Sequence, residues 1–284
     1  MPELPEVEIL VRHLRPVLRG KIVRAVAVNR AKILRPTSEV ELNRALVGAK
    51  FQSLSRRGKY LLFDFQNVAT RKTVTVLGHL GMTGRMFIAS KDALLPKHAA
   101  VVLELNRGNF VFEDTRYFGR FTLDLSALEK LGPEPDDKNF TPEIFARRLK
   151  GSRQPVKVKL LDQSLIAGVG NIYASEALYR AKISPHTAAS KLSRVQAGKI
   201  LSAVRAVLRR AVDGGSTIPL NFSGGKKDGG LFYFGRSAGA PDFYEERLRV
   251  YDRAGKACLR CGAKIRRIVQ AARSTFYCPH CQKS

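Results

Sequence analysis

The cysteines constrain this chain most, because all four lie near its C-terminus in two closely spaced pairs. Cys258 and Cys261 form one Cys-x-x-Cys pair, Cys278 and Cys281 form the other, and sixteen residues separate the two pairs. Such pairs supply a tetrahedral set of thiolates, which are typical ligands of structural zinc. Two disulfides are the alternative, but the N-terminus lacks the pattern of a signal peptide and a reducing cytosol disfavours disulfides. The spacing therefore predicts a small C-terminal hairpin with one structural Zn²⁺ per chain.

The charge of the chain points to a polyanionic partner. Fifty Lys and Arg residues stand against 24 Asp and Glu residues, a formal net charge of +26 over 284 residues. From Cys258 to Ser284 there are six basic residues and no acidic one. The apolar content of 44% is enough for packed cores, and no apolar run is long enough for a membrane helix. These features exclude a disordered basic tail and a membrane protein, and they favour a cytoplasmic protein that binds nucleic acid.

The first half of the chain combines one helix with short strands. Residues 6–19 carry apolar side chains at helical spacing, with Pro5 tolerated in the first turn and Gly20 suited to the end. The period then changes to two, which predicts a β-sandwich or barrel with a helix packed on it. The sequence Asn106-Arg107-Gly108-Asn109 predicts a hairpin turn between two of these strands. The predicted strands cover residues 21–28, 60–65, 72–77, 98–105, 109–114 and 121–125.

A proline- and acid-rich break at residues 131–137 separates these strands from a helical region. Thr141 before Pro142 predicts an N-cap with proline at the first helical position. Residues 213–240 are rich in Gly, Ser and Lys and predict a long loop. The predicted helices cover residues 141–149, 156–163, 172–181 and 194–212.

Five motifs occur in a fixed order along the chain. They are MPELPEVE at residues 1–8, Gly58-Lys59-Tyr60, HLGMTG at 79–84, DTRYFG at 114–119 and GVGNIYA at 168–174. Together with the terminal cysteines, this series resembles the formamidopyrimidine-DNA glycosylases, a family of bacterial base-excision enzymes for oxidised purines. The similarity runs from residue 2 to residue 281, with motifs in every part of the chain.

The resemblance implies an α+β protein with three domains. These are an N-terminal helix with an antiparallel β-sandwich at residues 1–132, a helix–two-turn–helix domain with a base-capping loop at residues 133–240, and a zinc-finger hairpin at residues 241–284. The implied partner is double-stranded DNA containing oxidised bases or abasic sites. The resemblance also implies a monomer that does not bind a membrane and that acts in the bacterial cytoplasm, associated with the nucleoid.

The resemblance also assigns the chemistry to three residues. Pro2, freed by removal of Met1, is the nucleophile that attacks the sugar, expels the base and permits strand cleavage by β,δ-elimination. A secondary amine suits this role because its adduct is already a cation, which acidifies the neighbouring sugar proton. Glu3 is the general acid/base. Lys59, which lies on a predicted β-turn-β element after Arg56 and Arg57, contacts the lesion phosphate and assists elimination.

Further residues are assigned to DNA binding by the same resemblance. An enzyme that acts on a base must extrude it from the stack, and apolar wedges with an arginine then fill the space it leaves. The residues implied to fill that space are Met82, Arg116 and Phe118. The residues implied to clamp the DNA phosphates are Lys157, Asn171 and Arg273, and His79 is a further DNA contact.

Several departures from the family pattern bear on substrate preference. Thr115 and Tyr117 stand where the family usually has proline and arginine, and the base-capping loop at residues 214–246 differs in composition. This leaves open an endonuclease VIII-like oxidised-pyrimidine glycosylase, although that subgroup tends to begin PEGPE. A non-catalytic damage-binding protein is the other alternative. It would need neither the Pro2-Glu3 terminus nor Lys59, and their joint presence favours the enzyme.

Overall fold

The structure is a computed structural model, and it describes residues 2–68, 70–214 and 248–283. Among these, the chain divides into two compact units. The N-terminal unit comprises Pro2 and residues 6–129, and the C-terminal unit comprises residues 3–5, 130–214 and 248–283. The two boundaries between the three expected domains stay a prediction, and the one at 240/241 falls outside the described residues.

The N-terminal helix forms as predicted and begins slightly earlier. Helix α1 spans Leu4–Leu18, and Gly20 follows it with a φ of +76°, a conformation that favours glycine. Val7, Leu10 and Leu14 lie on one face and are almost fully buried. The helical spacing of the apolar residues therefore marks the face that packs into the core of this unit.

Two four-stranded antiparallel sheets form the rest of the N-terminal unit, in the orders β1-β6-β7-β5 and β2-β3-β4-β8. Their facing sides share a phenylalanine core, in which Phe63 of one sheet lies 5.5 Å from Phe110 of the other in an edge-to-face contact. The antiparallel β-sandwich is confirmed. The strands are β1 Val23–Val28, β2 Ala49–Arg57, β3 Tyr60–Asn67, β4 Thr73–His79, β5 Arg85–Ala89, β6 Ala99–Leu105, β7 Asn109–Glu113 and β8 Arg120–Thr122.

Two tight turns in this unit form where the sequence predicts them. The β6–β7 turn contains Gly108 at a φ of +76° and is closed by a hydrogen bond from the Leu105 N–H to the Gly108 carbonyl. The β2–β3 turn contains Gly58 at a φ of +58° and carries Lys59. Both turns need a left-handed residue, which explains the glycines.

The sequence prediction lacks helix α2 at Glu39–Leu46, the short helix at Ser126–Glu129 and strand β5, and it gives strand β2 no bounds. Helix α2 begins with a capping box in which Ser38 and Glu41 hydrogen-bond each other's backbone N–H groups. This signal is readable in the sequence. Strand β2 mixes buried and exposed positions around an irregularity between Phe51 and Ser53, which obscures its period of two.

The C-terminal unit is mainly helical. The short helix α3, Ser126–Glu129, ends the N-terminal unit. The helices of the C-terminal unit are α4 Pro142–Lys150, α5 Val156–Lys159, α6 Asn171–Ala181 and α7 Arg194–Asp213. The predicted cap of α4 is confirmed, because the Thr141 hydroxyl accepts a hydrogen bond from the Ile144 N–H. Helix α5 is shorter than predicted, since the Asp162 carboxylate accepts from the Ser164 N–H at 2.9 Å and stabilises a turn instead.

The C-terminal hairpin is also confirmed. Strands β9 Arg266–Gln270 and β10 Arg273–Tyr277 pair antiparallel, and the second pair of cysteines follows directly. Among the described residues, no helix combines the length and the apolar character that crossing a membrane requires.

Candidate functional site

Glu3 is held at the start of helix α6. Its carboxylate is buried and accepts hydrogen bonds from the backbone N–H groups of Ile172 at 2.8 Å and Tyr173 at 3.4 Å. The N-terminus of a helix presents unpaired N–H groups and a partial positive charge, so it stabilises an anion. The N–H groups that follow the glycine turn are therefore occupied by the Glu3 side chain.

Two glycines of the GVGN motif make this close approach possible. A Cβ atom on Gly170 would lie 2.3 Å from the Glu3 carboxyl carbon, and one on Gly168 would lie 2.5 Å from the Leu4 side chain. The Leu4 N–H also donates to the Gly168 carbonyl at 3.1 Å. The motif therefore fixes the backbone of residues 3 and 4.

Pro2 and Lys59 are both described in the N-terminal unit. Pro2 is buried. Lys59 lies on the β2–β3 turn with only 7% of its surface exposed, whereas a lysine in a basic surface run is ordinarily solvated. The Arg56 guanidinium donates to the Gly58 carbonyl at 2.9 Å and so supports this turn.

Lys157, Asn171 and Arg273, which are distant in sequence, meet in the C-terminal unit. The Lys157 ammonium donates to the Asn171 side-chain oxygen at 2.6 Å, and the Asn171 amide donates to the Ser274 carbonyl at 2.9 Å. Arg273, next to Ser274 on β10, is near enough to lower the Lys157 pKa electrostatically. Tyr251 lies near the same group, close enough to Asn171 and Arg273 for both to lower the pKa of its hydroxyl. We call Lys157, Asn171, Tyr251 and Arg273 the polar cluster.

Burial shifts the pKa values of two residues of this cluster. Lys157 is almost fully buried, and burial, with the Arg273 charge adding to it and Glu3 opposing it, lowers the pKa of Lys157 to about 8. Burial also raises the pKa of the Tyr251 hydroxyl. Sequence reasoning missed Tyr251, because no motif surrounds it and only the tertiary structure brings it to Asn171.

Met82, Arg116 and Phe118 lie on two loops of the N-terminal unit. Met82 is 38% exposed and Phe118 is 52% exposed, so neither is a core residue. The Arg116 guanidinium lies 5.3 Å from the centre of the Phe118 ring. This arrangement presents apolar and cationic groups to solvent side by side, which suits insertion beside stacked bases.

The buried Asp114 carboxylate ties these two loops together. It accepts from the Thr83 hydroxyl at 2.7 Å, from the Arg116 N–H at 3.2 Å and from the Gly119 N–H at 2.8 Å. Thr83 follows Met82, and Arg116 and Gly119 flank Phe118. Sequence reasoning did not single out Asp114, although an acid at the start of the DTRYFG motif is a recognisable signal for a turn.

His79 ends strand β4 as a neutral imidazole. Burial, with the charges of Lys59 and Arg120 adding to it, lowers its pKa to about 4. Its Nδ1 atom accepts a hydrogen bond from the Gly81 N–H at 3.1 Å. In the neutral ring the remaining proton therefore lies on Nε2, which makes His79 a hydrogen-bond donor at neutral pH.

The four cysteines fit a zinc ion. Their Sγ atoms all lie within 4.8 Å of one another. The Cys258 and Cys281 sulfurs are 4.0 Å apart and those of Cys261 and Cys278 are 3.5 Å apart. A tetrahedral site with Zn–S bonds of about 2.3 Å needs sulfurs about 3.8 Å apart. The hairpin thus has the donor set and spacing of one structural zinc ion.

Helix α6 carries a further acidic residue that sequence reasoning missed. The buried Glu176 carboxylate accepts from the backbone N–H groups of Val250 at 2.8 Å, Tyr251 at 2.9 Å and Arg249 at 3.0 Å. It fixes the segment that carries Tyr251. Its signal in the sequence is a lone acid in an otherwise uncharged stretch, Ile172–Tyr179 of α6.

The expected base-capping loop at residues 214–246 falls outside the described residues after Gly214.

Comparisons with known proteins agree with this arrangement. Residues 1–121 match the family model "Formamidopyrimidine-DNA glycosylase N-terminal domain", residues 131–221 the "Formamidopyrimidine-DNA glycosylase H2TH domain", and residues 255–283 the "Zinc finger found in FPG and IleRS". The chain is 41% identical to a formamidopyrimidine-DNA glycosylase of Novosphingobium aromaticivorans and 38% identical to one of Carboxydothermus hydrogenoformans. Both alignments cover 100% of each chain.

Solved structures extend the likeness to three dimensions. The wild-type Lactococcus lactis Fpg (MutM) in complex with DNA containing an oxidised pyrimidine has a TM-score of 0.86 at 30% identity. A MutM complex with DNA containing carbocyclic 8-oxo-G has a TM-score of 0.85 at 31% identity. Each comparison covers 100% of both chains. Since curated relatives and solved structures align over the whole chain at 30% identity or more, this chain belongs to the formamidopyrimidine-DNA glycosylase family.

Proposed function

We propose that the protein is a bifunctional DNA glycosylase and abasic-site lyase that excises oxidised purines, such as 8-oxoguanine and formamidopyrimidines, from double-stranded DNA. Its place of action is the bacterial cytoplasm, in association with the nucleoid. The observation that carries the proposal is the position of Glu3. Its carboxylate, next in sequence to the proline amine, is fixed by the N-terminus of helix α6.

In this reaction the Pro2 nitrogen attacks the sugar C1′ atom, and the bond between C1′ and the base breaks. The departing base takes the electron pair of that bond and the proton that the Pro2 nitrogen loses. The ring C1′–O4′ bond then breaks as Glu3 donates a proton to O4′. An iminium forms between Pro2 and C1′. Loss of a C2′ proton then breaks the C3′–O bond, and a second elimination breaks the C5′–O bond.

An α-amino group suits this attack at neutral pH. Its pKa is ordinarily about 8, against about 10.4 for a lysine, so a larger fraction of it is unprotonated and nucleophilic. Removal of Met1 exposes this amine. Lys59 lies on the β2–β3 turn of the N-terminal unit, and in this proposal it contacts the lesion phosphate and assists elimination.

The other site residues hold the DNA in the required shape. The polar cluster presents two cationic side chains and two neutral hydrogen-bonding groups, which suits phosphate oxygens. Met82, Arg116 and Phe118 fill the space left by the extruded nucleotide, which offsets part of the lost stacking. His79 donates a hydrogen bond to DNA without contributing charge.

Borohydride trapping tests the proposal. The purified protein is incubated with an 8-oxoguanine:cytosine duplex and borohydride, which reduces the iminium to a stable amine. Peptide mass analysis should place the DNA adduct on Pro2. An adduct on a lysine would contradict the role of Pro2. No adduct on 8-oxoguanine, oxidised-pyrimidine and abasic duplexes alike would contradict the proposal and support a damage-binding protein.

The same assay separates the substrate alternatives and tests Glu3. More rapid trapping on oxidised-pyrimidine duplexes than on 8-oxoguanine would favour an endonuclease VIII-like enzyme. This substrate is included because a structure of the Lactococcus lactis relative contains oxidised-pyrimidine DNA. A Glu3→Gln variant should bind the lesion duplex and trap little of it, since the amide keeps an acceptor for the Ile172 N–H and cannot transfer the proton.

A further inference from the structure

Two arginines that no motif includes line a small cavity in the N-terminal unit. Arg35 precedes Pro36, and Arg120 begins strand β8. The cavity has a volume of about 270 Å³ and its lining also includes His79 and Phe118. Two cationic side chains therefore lie beside the proposed DNA contact His79 and the exposed ring of the proposed wedge Phe118.

The fold holds both arginines in place through their neighbours. Thr37 lies two residues after Arg35 and Thr122 two residues after Arg120, and their buried hydroxyls are hydrogen-bonded at 2.8 Å. The Thr37 hydroxyl also accepts from the Leu123 N–H at 2.9 Å. The segment that carries Arg35 is thus attached to the strand that carries Arg120, so the two positions are set before any ligand binds.

Strand pairing brings Arg120 to His79. These residues are direct partners in the antiparallel β4–β8 ladder, where opposite side chains project from the same face with Cβ atoms about 5 Å apart. The Tyr60 ring packs against the His79 ring at 4.9 Å between centres. A cation and a neutral N–H donor consequently face the same cavity.

No carboxylate forms an ion pair with either arginine within the described part of the chain. Arg35 forms no ion pair or hydrogen bond there, and Arg120 donates only to the Gly119 carbonyl, at 2.9 Å. The acid in the cavity lining is Asp124. One of its oxygens accepts from the Ser126 N–H at 3.0 Å and the other from the Ser126 hydroxyl at 2.9 Å, so both are already engaged locally.

We propose that Arg35 and Arg120, with His79, bind a phosphodiester of the DNA backbone next to the Phe118 wedge. The ligand is a phosphate because guanidinium groups match its oxygens in bidentate geometry. The site rests on the proposed function and adds to it. It secures the backbone beside the inserted ring, whereas the polar cluster, in the other unit, secures a different phosphate.

Salt-dependent DNA binding tests the site with a charge-matched control. The Arg35→Gln/Arg120→Gln variant is compared with Arg24→Gln/Arg44→Gln, which removes the same charge from exposed positions outside the cavity. The DNA is a duplex with a tetrahydrofuran abasic analogue, and an undamaged duplex is titrated in parallel. Affinities are measured between about 50 and 200 mM salt.

The cavity variant should bind both duplexes about tenfold more weakly than the wild type, the loss expected for charged hydrogen bonds to one phosphate. Its plot of log K against log salt should be shallower by about 0.9, the value for one phosphate contact. The control variant should keep a slope close to that of the wild type. Equal slopes and affinities for the two variants would overturn the proposal.

Neutral methylphosphonate linkages then identify the phosphate. Each linkage near the abasic analogue is replaced in turn on either strand. At one position the replacement should weaken wild-type binding and leave the cavity variant unaffected, and the absence of such a position would overturn the site. Trapping of 8-oxoguanine DNA by the wild type is measured alongside. Normal trapping with equal slopes refutes only this site, whereas failed trapping refutes the proposed function.

Discussion

At the residue scale, burial makes the charge of Lys157 depend on pH near neutrality. Its ammonium is buried, hydrogen-bonded to Asn171 and close to another cation, Arg273. Desolvation and the like charge both disfavour the protonated form. The structure therefore places a lysine whose pKa is about 8 in the proposed phosphate clamp. This is close enough to neutrality for its charge to respond to moderate changes of pH.

DNA binding should accordingly weaken as the pH rises through 8. The protonated Lys157 binds phosphate and the neutral amine does not, so affinity contributed by this residue is present below its pKa of about 8 and is lost above it. We expect a loss of roughly three- to tenfold between about pH 7 and pH 9, within what one charged hydrogen bond provides. Fluorescence anisotropy on an abasic-analogue duplex at constant ionic strength measures it.

The matched control for this prediction is Lys157→Arg. Arginine stays protonated over the whole range, so the variant should bind with little dependence on pH between 7 and 9. A wild-type profile that is as flat as that of the variant would show that Lys157 does not titrate in this window, or that it does not contact the DNA.

At the scale of elements, helix α6 holds three separate parts of the C-terminal unit in place. Its first N–H groups bind the Glu3 carboxylate, and Asn171 at its start belongs to the polar cluster. Glu176, further along, holds three consecutive N–H groups of the segment that leads to the zinc hairpin. One helix thus fixes a catalytic candidate, a DNA contact and the segment that carries Tyr251.

Replacing Glu176 with glutamine should destabilise this unit. The amide keeps one acceptor oxygen for the three N–H groups, but it loses the negative charge and brings an NH₂ group that faces the Arg249 N–H. The expected cost is about 1–3 kcal/mol in the free energy of unfolding, measured by urea denaturation. DNA affinity should fall with it, because Tyr251 and its neighbours lose their anchor. Unchanged stability and affinity would remove Glu176 from this role.

The zinc hairpin is the second element on which DNA binding is expected to depend. Cys278 is fully buried, and its replacement by serine removes one of four thiolates, so zinc should be lost and the β9–β10 hairpin should unfold. Arg273 lies on this hairpin. We expect Cys278→Ser to contain less than one zinc ion per chain by elemental analysis and to lose specific DNA binding. Cys278→Ser protein with full zinc content and normal affinity would contradict this prediction.

At the scale of the whole molecule, the charge governs how the protein meets DNA. A net charge of +26 attracts a polyanion at long range, and binding releases counterions from the DNA. Affinity for undamaged duplex should therefore fall steeply with salt, by about 10³-fold or more between about 50 and 200 mM if six or more phosphates are contacted. A flat response would contradict binding through phosphates.

The sequence alone predicted much of the molecule where the signal is local. Helix α1, the turn that carries Lys59, the cap at Thr141 and the zinc hairpin all follow from periodicity, glycine, capping chemistry or cysteine spacing. These signals act within a few residues of chain, so one sequence is enough to read them. The order of the motifs likewise indicated the family that the comparisons confirm.

Only the tertiary structure decided how distant residues combine. Glu3 meets the N–H groups of Ile172 and Tyr173 across about 170 residues of chain, and Tyr251 meets Asn171 across 80. Arg35 and Arg120 share a cavity because two threonine hydroxyls join their segments. Burial, which lowers the pKa of Lys157 and makes His79 neutral, is likewise set by packing. These properties depend on contacts between distant segments, and no local pattern in the sequence encodes them.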